Sequence, residues 1–455
     1  MTTDHNPRTI TEAAPLIRRG DITPIDLLDQ CLAQIDQYEA KVRAWVHIDR
    51  EGAFEQADRL TAELKAGQNR GPLHGIPVGV KDIIDVFDMP TGCGSKLWAN
   101  SYARQDATCV ARLRQAGAII LGKTVTTAYA SFDPPVTRNP WNLERTPGGS
   151  SSGSAAAVAC GMCLGALATQ TGGSITRPAS YCGVYSLKPT YGRVSVDGVL
   201  PLAPSMDHVG VMANCVRDLA MLLQPLARTE ALHKGEAPAP YHYKIMIEDP
   251  SPFCARERQL ATLPDFFPGR AEAVMAATFA KLLETTTTAR WLWCKLPLPP
   301  SWADVTTNHH TVMGVEAAAY HTARMRCHPD DYPPRIRSLI ETGLSCPAPH
   351  FVRILEHFKT FRDEIETAFA DAWETFATPA TPGPAPSADT TGDASFNSPW
   401  SYSGLPTVSL PIAWTDDGLP LAVQLIGRRW CEDDLLAVAA MLEETIGFEP
   451  RPLPL

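Results

Sequence analysis

The sequence predicts an α/β protein built around a large mixed β-sheet that helices cover on both faces. Short, continuously apolar runs are typical of strands buried on both sides, and they recur along the chain at residues 75–81, 118–121, 407–413 and 420–426. Stretches with apolar residues at helical spacing lie between these runs. Such alternation of strands and helices favours a largely parallel or mixed sheet.

The predicted helices are recognised by their ends and by their apolar faces. Thr23 can cap a helix that carries Pro24 in its first turn and apolar residues at helical spacing behind it. Further helices are predicted at residues 107–116, 350–376 and 432–446. The proline-rich segment 378–384 is predicted to be a rigid, turn-rich connector.

We predict a single domain over residues 1–455, without repeats or low-complexity tails. Residues 147–214 are unusually rich in Gly, Ser and Ala, and they form the core of the predicted site. Residues 225–349 contain more Pro, Trp, His and charged residues and show weaker periodicity. This second stretch is interpreted as a variable region that shapes the substrate pocket.

Composition and charge exclude several classes of function. The chain is 44% hydrophobic and 20% charged, and it has no apolar run long enough to span a bilayer. Residues 1–20 lack the apolar segment of a signal peptide. The net charge of −10, without a cluster of basic residues, argues against nucleic acid as a partner. We expect a cytoplasmic protein that acts on small molecules, as a monomer or homodimer, without membrane or nucleic-acid partners.

No metal or organic cofactor is expected from the sequence. The twelve cysteines are interpreted as reduced and mostly buried. Cys160 and Cys163 form a C-x-x-C pair, but no second pair and no nearby histidine completes a zinc site. His309 and His310 match no compact metal-binding motif, so we interpret them as surface or pocket-lining residues.

Residues 117–124 satisfy the phosphate-binding pattern G-x-x-x-x-G-K-T, yet their chemistry favours a strand. A loop that binds phosphate needs small residues whose amides can turn toward the anion. The intervening Ala-Ile-Ile-Leu would instead extend, with its amides paired in a sheet. The match is therefore predicted to be fortuitous.

The Gly/Ser-rich residues 146–154 run directly into an alanine-rich segment, which predicts a tight turn followed by a closely packed helix. This segment contains a G-x-S-x-G pattern centred on Ser151, the motif of a nucleophile elbow. An apolar strand should precede such an elbow, and residues 145–148 are not one. The α/β-hydrolase interpretation is therefore weak.

Two further features point to acyl-transfer chemistry. Adjacent glycines precede Ser174, and such a loop can direct several N–H groups to the point where a tetrahedral intermediate becomes negative. Lys81 ends an apolar strand, and a lysine in a desolvated pocket loses its proton more readily. A neutral lysine that relays through a second serine could activate a serine nucleophile as a His–Asp pair does elsewhere.

These residues resemble the motifs of the amidase signature family, over nearly the whole chain except the variable region. The defining block is similar to residues 147–193, where Ser150 and Ser174 stand 24 residues apart, as in that family. The lysine motif and the C-terminal signature of the family are similar to residues 75–82, 396–400 and 404–406. The resemblance implies an amide-bond hydrolase with the fold of that family and no cofactor.

Carried over position by position, the resemblance implies roles for seven residues. Ser174 would be the nucleophile, Ser150 a bridging serine that follows a cis peptide bond, and Lys81 the general base. The backbone amides of the oxyanion hole would come from Thr171, Gly172, Gly173 and Ser174. Ser151 would support the network by hydrogen bonding.

Besides Ser152, which stands where the family often has glycine, two positions depart from the commonest pattern of the family. Gln170 stands where aspartate is usual, and Thr176 separates Arg177 from the isoleucine that it normally follows. The differences at Gln170 and Arg177 leave undetermined which side chains support the relay from behind. They also weigh against the glutaminase-type subunit of a tRNA-dependent amidotransferase.

The substrate is expected to be a small aryl or alkyl amide. Phe132, Tyr129, Trp141 and Trp400 could line an apolar pocket, although each is more typical of core packing. Carbamate (urethane) or urea hydrolysis, glutaminase activity in an amidotransferase complex and a non-catalytic scaffold remain the alternatives.

Overall fold

The computed structural model describes residues 6–228, 259–266, 269–370 and 375–455. Its strands form a single sheet of eleven strands in the order β1-β3-β2-β4-β6-β5-β10-β11-β9-β7-β8. The strands are β1 Trp45–Ile48, β2 Pro77–Lys81, β3 Ile119–Thr124, β4 Gly165–Gln170, β5 Tyr185–Lys188, β6 His208–Ala213, β7 Gln259–Thr262, β8 Leu292–Lys295, β9 Thr375–Pro379, β10 Thr407–Trp414 and β11 Pro420–Gly427.

Helices of very different lengths connect and cover these strands. They are α1 Ile10–Arg19, α2 Pro24–Val42, α3 Arg50–Lys65, α4 Thr108–Gln115, α5 Ser152–Ala159, α6 Thr176–Cys182, α7 Val216–Leu226, α8 Ala273–Thr288, α9 Val305–Cys327, α10 Pro334–Leu344, α11 Ala348–Ala370, α12 Ser398–Ser403 and α13 Glu432–Ile446. No helix of the described residues is long and apolar enough to cross a membrane.

The predicted fold class is confirmed. The sheet is mixed, because β3, β2 and β4 pair in parallel whereas β4, β6, β5, β10, β11 and β9 pair antiparallel. Every residue of β2, β3, β4, β5 and β6 is buried. Since successive side chains of a strand point to opposite faces, both faces of this part of the sheet are covered.

Most elements lie where the sequence predicted them. Helix α2 begins after Thr23, whose side chain accepts a hydrogen bond from the backbone N–H of Asp26, and Pro24 occupies its first turn. The phosphate-loop pattern at residues 117–124 is indeed a buried strand, β3. Helix α13 has the predicted bounds, and strands β10 and β11 each extend one residue beyond the prediction.

The prediction was wrong at the end of the long helix and in the connector behind it. The described part of this helix runs to Ala370, and residues 371–374 lie outside the described residues. Thr375–Pro379, where the sequence predicted the helix end and the start of the connector, form the strand β9, which pairs with β11. The prolines that suggested a loop begin only at the last residue of this strand. Pairing with β11 and burial of Phe376 therefore outweigh the local turn signals.

The described part of residues 225–349 is ordered into helices α8, α9 and α10 and the strands β7 and β8. These two strands extend the same sheet beyond β9 in parallel. Residues 229–258 and 267–268 lie outside the described residues. The role of the region in shaping a substrate pocket stays a prediction.

Candidate functional site

The site lies where two parallel strands end. Because β2 and β4 are parallel neighbours, their carboxyl ends meet at the same edge of the sheet. Lys81 is the last residue of β2, and Thr169 is the penultimate residue of β4. The Nζ atom of Lys81 lies 2.7 Å from Oγ of Ser150 and 2.7 Å from Oγ1 of Thr169. The structure thus brings Lys81 and Ser150 together across 69 residues of sequence.

The surroundings of Lys81 favour its neutral form. The side chain is completely buried, and none of the ion pairs between described residues includes it. Burial lowers the pKa of Lys81 well below its ordinary value, because the ammonium loses its hydration, while the negative charge of Asp207 opposes this shift. Its hydrogen-bonding partners are hydroxyl groups, which bind an uncharged amine as readily as they bind a cation.

Ser150 is held in the turn that leads into α5. The peptide bond between Gly149 and Ser150 is cis, as the resemblance implied. The carbonyl of Gly149 accepts a hydrogen bond of 2.7 Å from Nη2 of Arg177, and the carbonyl of Ser150 accepts one of 3.2 Å from the N–H of Thr127. These contacts fix the backbone on both sides of the cis bond, and Ser150 itself is completely buried.

The next residues explain why this turn is rich in small side chains. A Cβ atom on Gly153 would lie 2.2 Å from the carbonyl oxygen of Ala44, so only glycine lets α5 pack this closely. The hydroxyl of Ser151 donates to the carbonyl of Thr169 at 3.2 Å and accepts from its N–H at 3.3 Å. Ser151 therefore fixes the backbone of the residue whose hydroxyl faces Lys81.

Residues 171–174 connect β4 to α6, and their first two carbonyl groups are held from outside the loop. The carbonyl of Thr171 accepts a hydrogen bond of 2.9 Å from Nε2 of His309. The carbonyl of Gly172 accepts one of 3.0 Å from the hydroxyl of Ser401. These partners come from α9 and α12, far along the chain from the loop that they orient.

The rest of the loop leaves its N–H groups available. The carbonyl of Gly173 accepts a hydrogen bond of 2.9 Å from the N–H of Arg177, which begins the hydrogen bonding of α6. Within the described part of the chain, the N–H groups of Gly172, Gly173 and Ser174 have no hydrogen-bond acceptor. With the carbonyls held and these donors unused, the loop has the features that an oxyanion hole requires.

Both glycines of this loop are required by close neighbours. A Cβ atom on Gly173 would lie 2.6 Å from Oδ1 of Asn397, and one on Gly172 would lie 3.2 Å from Cε1 of His309. Neither glycine has a positive φ, so the restriction comes from packing and not from backbone conformation. A larger residue at position 173 would therefore require Asn397 or the loop to shift, and one at position 172 would be in tight contact with His309 on α9.

Ser174 is the most accessible hydroxyl among the predicted catalytic groups. Its exposed fraction is 8%, whereas Lys81 and Ser150 are at 0%. Ser174 directly precedes Ile175, the residue that caps the N-terminus of α6. Ser174 is therefore the least buried of the three predicted catalytic residues.

The side-chain amide of Gln170 connects the start of α6 to α12. Its Oε1 atom accepts hydrogen bonds from the N–H groups of Ile175 at 2.8 Å and Thr176 at 3.0 Å. Its Nε2 atom donates to the hydroxyl of Ser401 at 3.1 Å. An amide can accept and donate at once, so Gln170 ties the start of α6 to the same serine that holds Gly172.

Arg177 lies behind the relay rather than in it. The side chain is only 1% exposed, and it donates through Nη2 to the carbonyl of Gly149. Its Nε and Nη1 atoms are buried without a hydrogen-bond partner among the described residues. Burial lowers the pKa of Arg177. The shifted arginine therefore still contacts the backbone next to Ser150.

Three residues near the site had no predicted role there. Thr169 contacts Lys81, and Asp207 accepts a hydrogen bond of 2.5 Å from the hydroxyl of Thr171. His309, predicted as a surface or pocket-lining residue, is only 3% exposed, and burial lowers its pKa to about 4. A neutral His309 must donate through Nε2, because the carbonyl of Thr171 can only accept. No local motif signals these contacts.

The aromatic residues considered for the pocket are engaged in packing. Trp400 is completely buried, with its ring 5.5 Å from that of Trp302. Tyr129 is also completely buried, and the half-buried Trp141 donates through Nε1 to the carbonyl of Cys182. Phe132 is partly buried against the core.

The cysteines and histidines form no metal site in the residues that the structure describes. Cys160 and Cys163 are both buried free thiols. Within residues 6–228, 259–266, 269–370 and 375–455, no group of three or more His, Cys, Asp or Glu side chains could hold a metal ion.

Comparisons with known proteins agree on one family. The family model described as Amidase matches residues 26–289. A Glutamyl-tRNA(Gln) amidotransferase subunit of Roseiflexus castenholzii is 33% identical over 483 residues, which cover 97% of this chain and 96% of that protein. The protein named "Putative amidase AmiD" of Mycobacterium bovis is 31% identical over 465 residues, covering 98% and 95%. A solved structure described as a crystal structure of amidase has a TM-score of 0.85 and 32% identity, covering 96% of this chain and all (100%) of that chain.

Proposed function

Because this chain belongs to the amidase signature family of hydrolases, we propose that it hydrolyses amide bonds with Ser174 as nucleophile, Ser150 as bridging serine and Lys81 as general base. The observation that carries the proposal is the contact of 2.7 Å between Nζ of Lys81 and Oγ of Ser150, in a completely buried environment. Burial lowers the pKa of a lysine that contacts no carboxylate, so its neutral amine becomes available to accept a proton.

In the first half of the proposed reaction, Oγ of Ser174 attacks the carbonyl carbon of the substrate. Its proton passes to Ser150, whose own proton passes to the neutral amine of Lys81. The substrate carbonyl oxygen becomes negative and receives hydrogen bonds from the backbone of residues 171–174. The proton then returns along the same hydroxyl to the leaving nitrogen, the C–N bond breaks, and the acyl group stays on Ser174.

In the second half, water takes the place of the amine. Lys81 again accepts a proton through Ser150 while the water oxygen attacks the acyl carbon. The ester bond to Ser174 breaks, the carboxylic acid leaves, and the hydroxyl of Ser174 recovers its proton. The lysine returns to its neutral form, so the cycle consumes one water and no cofactor.

Ser174 is proposed as the nucleophile over Ser150 because of access. Ser174 is the only one of the two residues with an exposed fraction above zero, 8% against 0%. Ser150 has Lys81 on one side, so it is suited to pass a proton and not to meet a substrate. The bound substrate would then lie over the N-terminus of α6 with its carbonyl oxygen toward Gly172 and Gly173.

The experiment for this proposal is covalent labelling with a fluorophosphonate, which reacts with activated serine hydroxyls. We expect one phosphonate per chain, located by peptide mass spectrometry on Ser174. Labelling should be lost in Ser174→Ala and strongly slowed in Lys81→Met. The matched control is Ser338→Ala, which removes an exposed hydroxyl from α10 and should label normally.

Circular dichroism on each variant separates loss of chemistry from loss of fold. Labelling of any other residue, or full hydrolytic activity in Ser174→Ala, would refute the assignment of the nucleophile. A folded wild-type protein that reacts with no probe and turns over no amide would favour the non-catalytic scaffold.

Small aryl and alkyl amides are the proposed substrates, since the same relay can attack any accessible acyl carbon. Carbamates and ureas differ only in the substituent on that carbon, and they remain alternatives. Comparing kcat/KM for matched anilides, aliphatic amides, carbamates and ureas separates the classes. A preference of tenfold or more for a carbamate, about 1.4 kcal/mol in the transition state, would replace amides as the proposed substrate class.

Glutaminase activity is a second candidate, because the Roseiflexus castenholzii relative at 33% identity belongs to a Glutamyl-tRNA(Gln) amidotransferase. This candidate predicts release of ammonia from glutamine only when a second protein of such a complex is present. Amide hydrolysis by the isolated chain, without glutaminase activity, would exclude it.

A further inference from the structure

A cavity of about 240 Å³ is lined by none of the residues of the proposed relay. Its walls come from three parts of the chain: residues 83–101 after β2, residues 198–200, and the C-terminal half of α9. Side chains of opposite charge, Asp85 and Arg324, line the same cavity. The aromatic residues Trp98 and Tyr320 also line it, so the cavity offers an anionic group, a cationic group and two aromatic rings to a ligand.

Arg324 is held in place by aromatic rings and not by hydrogen bonds. Its guanidinium carbon lies 4.9 Å from the centre of the Trp98 ring and 4.7 Å from the centre of the Tyr320 ring. Among the described residues, no carboxylate forms an ion pair with Arg324 and no acceptor forms a hydrogen bond with its guanidinium. The rings fix the direction of the cation while its N–H donors stay free for a ligand.

Asp85 is fixed by its backbone. Its N–H donates to the carbonyl of Gly198 at 2.9 Å, and its carbonyl accepts from the N–H of Ala107 at 2.9 Å. Within the described ranges, its carboxylate has neither a hydrogen-bond donor nor an ion-pair partner, and it does not pair with Arg324. The cavity is therefore lined by one anion and one cation that form no ion pair with each other or with another described residue.

Cys93 lines the same cavity, and the charges of Asp85 and Arg324 both contribute to the pKa of its thiol. Burial is the main cause that raises the pKa of Cys93 to about 12, with smaller contributions from Asp82, Lys123, Asp85 and Arg324. Asp85 raises this pKa and Arg324 lowers it. Asp82 and Lys123 form an ion pair of 3.1 Å with each other. We therefore expect the charges of Asp85 and Arg324 to determine which ligand the cavity binds.

The wall around these groups is rigid. The N–H of Leu200 donates to the carbonyl of Ile83 at 2.9 Å, and the N–H of Thr91 donates to the carbonyl of Ser101 at 2.8 Å. The first hydrogen bond ties residues 198–200 to residues 83–101, and the second connects two parts of residues 83–101 to each other. A site with fixed walls loses little conformational entropy on binding.

We propose that this cavity binds a small zwitterion, an amino-carboxylate whose carboxylate contacts Arg324 and whose ammonium contacts Asp85. A simple anion would meet the repulsion of Asp85, and a simple cation would meet that of Arg324. A molecule with both charges and no net charge satisfies both groups at once. Its aliphatic part would lie against the rings of Trp98 and Tyr320.

The test is isothermal titration calorimetry of the whole protein with glycine, 4-aminobutanoate and 6-aminohexanoate, which separate the two charges by increasing distances. Butanoate and butylamine are the singly charged controls. We expect at least one zwitterion to bind about tenfold or more tightly than either control, because only the zwitterion satisfies both charges.

Substitutions then locate the binding. Arg324→Gln and Asp85→Asn should each weaken the zwitterion about tenfold or more, since each leaves one ligand charge without its partner. Arg326→Gln, which removes an exposed arginine from the same helix, should not change the affinity. Lys81→Met should also leave it unchanged, which separates this cavity from the proposed catalytic site.

Three results would overturn the proposal. They are the absence of binding by every zwitterion, binding of butanoate as tight as that of the zwitterions, and affinity that persists in both folded variants Arg324→Gln and Asp85→Asn. Since neither substitution touches the relay, failure of this proposal would leave the proposed hydrolysis untouched. Circular dichroism of each variant shows that the comparison is made between folded proteins.

Discussion

Two completely buried lysines stand at the ends of neighbouring parallel strands, and they differ in the groups around them. Lys81 ends β2, and Lys123 lies in β3 opposite Val80. Lys123 contacts the carboxylate of Asp82 at 3.1 Å, the carbonyl of Pro90 at 2.8 Å and a hydroxyl at 3.0 Å. Lys81 contacts two hydroxyls and no carboxylate among the residues that the structure describes.

The comparison teaches that two lysines buried to the same extent can differ in role because their contacting groups differ. A carboxylate in contact keeps the amine as an ammonium ion, and the pair then contributes to structure. With hydroxyls alone, desolvation lowers the pKa of Lys81, and the free amine can accept a proton. Two lysines in almost the same part of the sheet are therefore an ion-pair partner and a candidate base.

The largest expected effect comes from replacing each lysine with methionine, which keeps the volume and removes the amine. Lys81→Met should lower kcat/KM by about 10³-fold or more, as expected for loss of a member of a catalytic unit, and leave the protein folded. Lys123→Met should instead lower the free energy of unfolding by about 3–5 kcal/mol, because Asp82 stays buried and unpaired. Steady-state kinetics and urea denaturation of both variants measure the contrast.

The two variants act as controls for each other. Equal loss of stability in both variants, or wild-type turnover in Lys81→Met, would show that the different contacting groups of Lys81 and Lys123 do not give these lysines different roles.

The second prediction concerns the pH dependence of the Lys81 base. Only the neutral amine accepts a proton, so kcat/KM should rise with pH and level off well below pH 10.5, the ordinary pKa of a lysine. Asp207→Asn removes a negative charge that raises the pKa of Lys81, so the acidic limb should move to lower pH. The measurement is the pH profile of kcat/KM for wild type and variant.

Asp207 also accepts a hydrogen bond from Thr171, so its loss can lower the rate at every pH. The direction in which the acidic limb moves is independent of that loss. An acidic limb that stays in place or moves to higher pH would contradict the electrostatic role of Asp207.

A third prediction tests whether the oxyanion loop tolerates any side chain. Gly173→Ala would place a Cβ atom 2.6 Å from Oδ1 of Asn397. The required displacement should cost about 1–3 kcal/mol of stability and about 10²-fold in kcat, since the N–H donors move from their positions. Gly418→Ala is the control, because its Cβ would meet no atom within 4 Å and only its positive φ of 82° opposes the change.

Thermal denaturation and kinetics of the two alanine variants separate crowding from backbone conformation. Full activity in Gly173→Ala would mean that the loop moves freely and that the close approach of Asn397 does not position it.

The smallest expected effect concerns Gln170, where the family usually has aspartate. Gln170→Asp removes the donor to Ser401 and should cost about 0.5–1.5 kcal/mol, the usual net value of a hydrogen bond. A double-mutant cycle with Ser401→Ala, followed by urea denaturation, isolates the coupling between the two side chains. A coupling energy of zero would show that the link between the start of α6 and α12 does not stabilise the loop.

Much of the candidate site could be predicted because its members lie in local patterns. The strand that ends at Lys81, the turn before α5 and the glycine pair before Ser174 are each encoded by a few consecutive residues. His309 and Asp207 could not be found this way. His309 contacts a carbonyl 138 residues away, and a buried histidine has no sequence pattern that distinguishes it from an exposed one.

The fold, like the candidate site, has parts that the local sequence predicts and parts that depend on contacts between distant residues. Continuous apolar runs predicted β2, β3, β10 and β11, because strands buried on both faces must be apolar throughout. The strand β9 was assigned to a helix end and a connector, since its short sequence has neither clear alternation nor length. The strand is held in the sheet by its pairing with β11 on one side and with β7 on the other.

The sequence by itself determined the class of the sheet, the motifs and the residue types on which the proposed chemistry depends. Tertiary structure alone decided which of Lys81 and Lys123 contacts a carboxylate, which carbonyls of the loop are held and which of Ser150 and Ser174 is the less buried residue. The physical reason is that local conformation follows from neighbours in sequence, whereas desolvation and charge depend on groups that folding brings together.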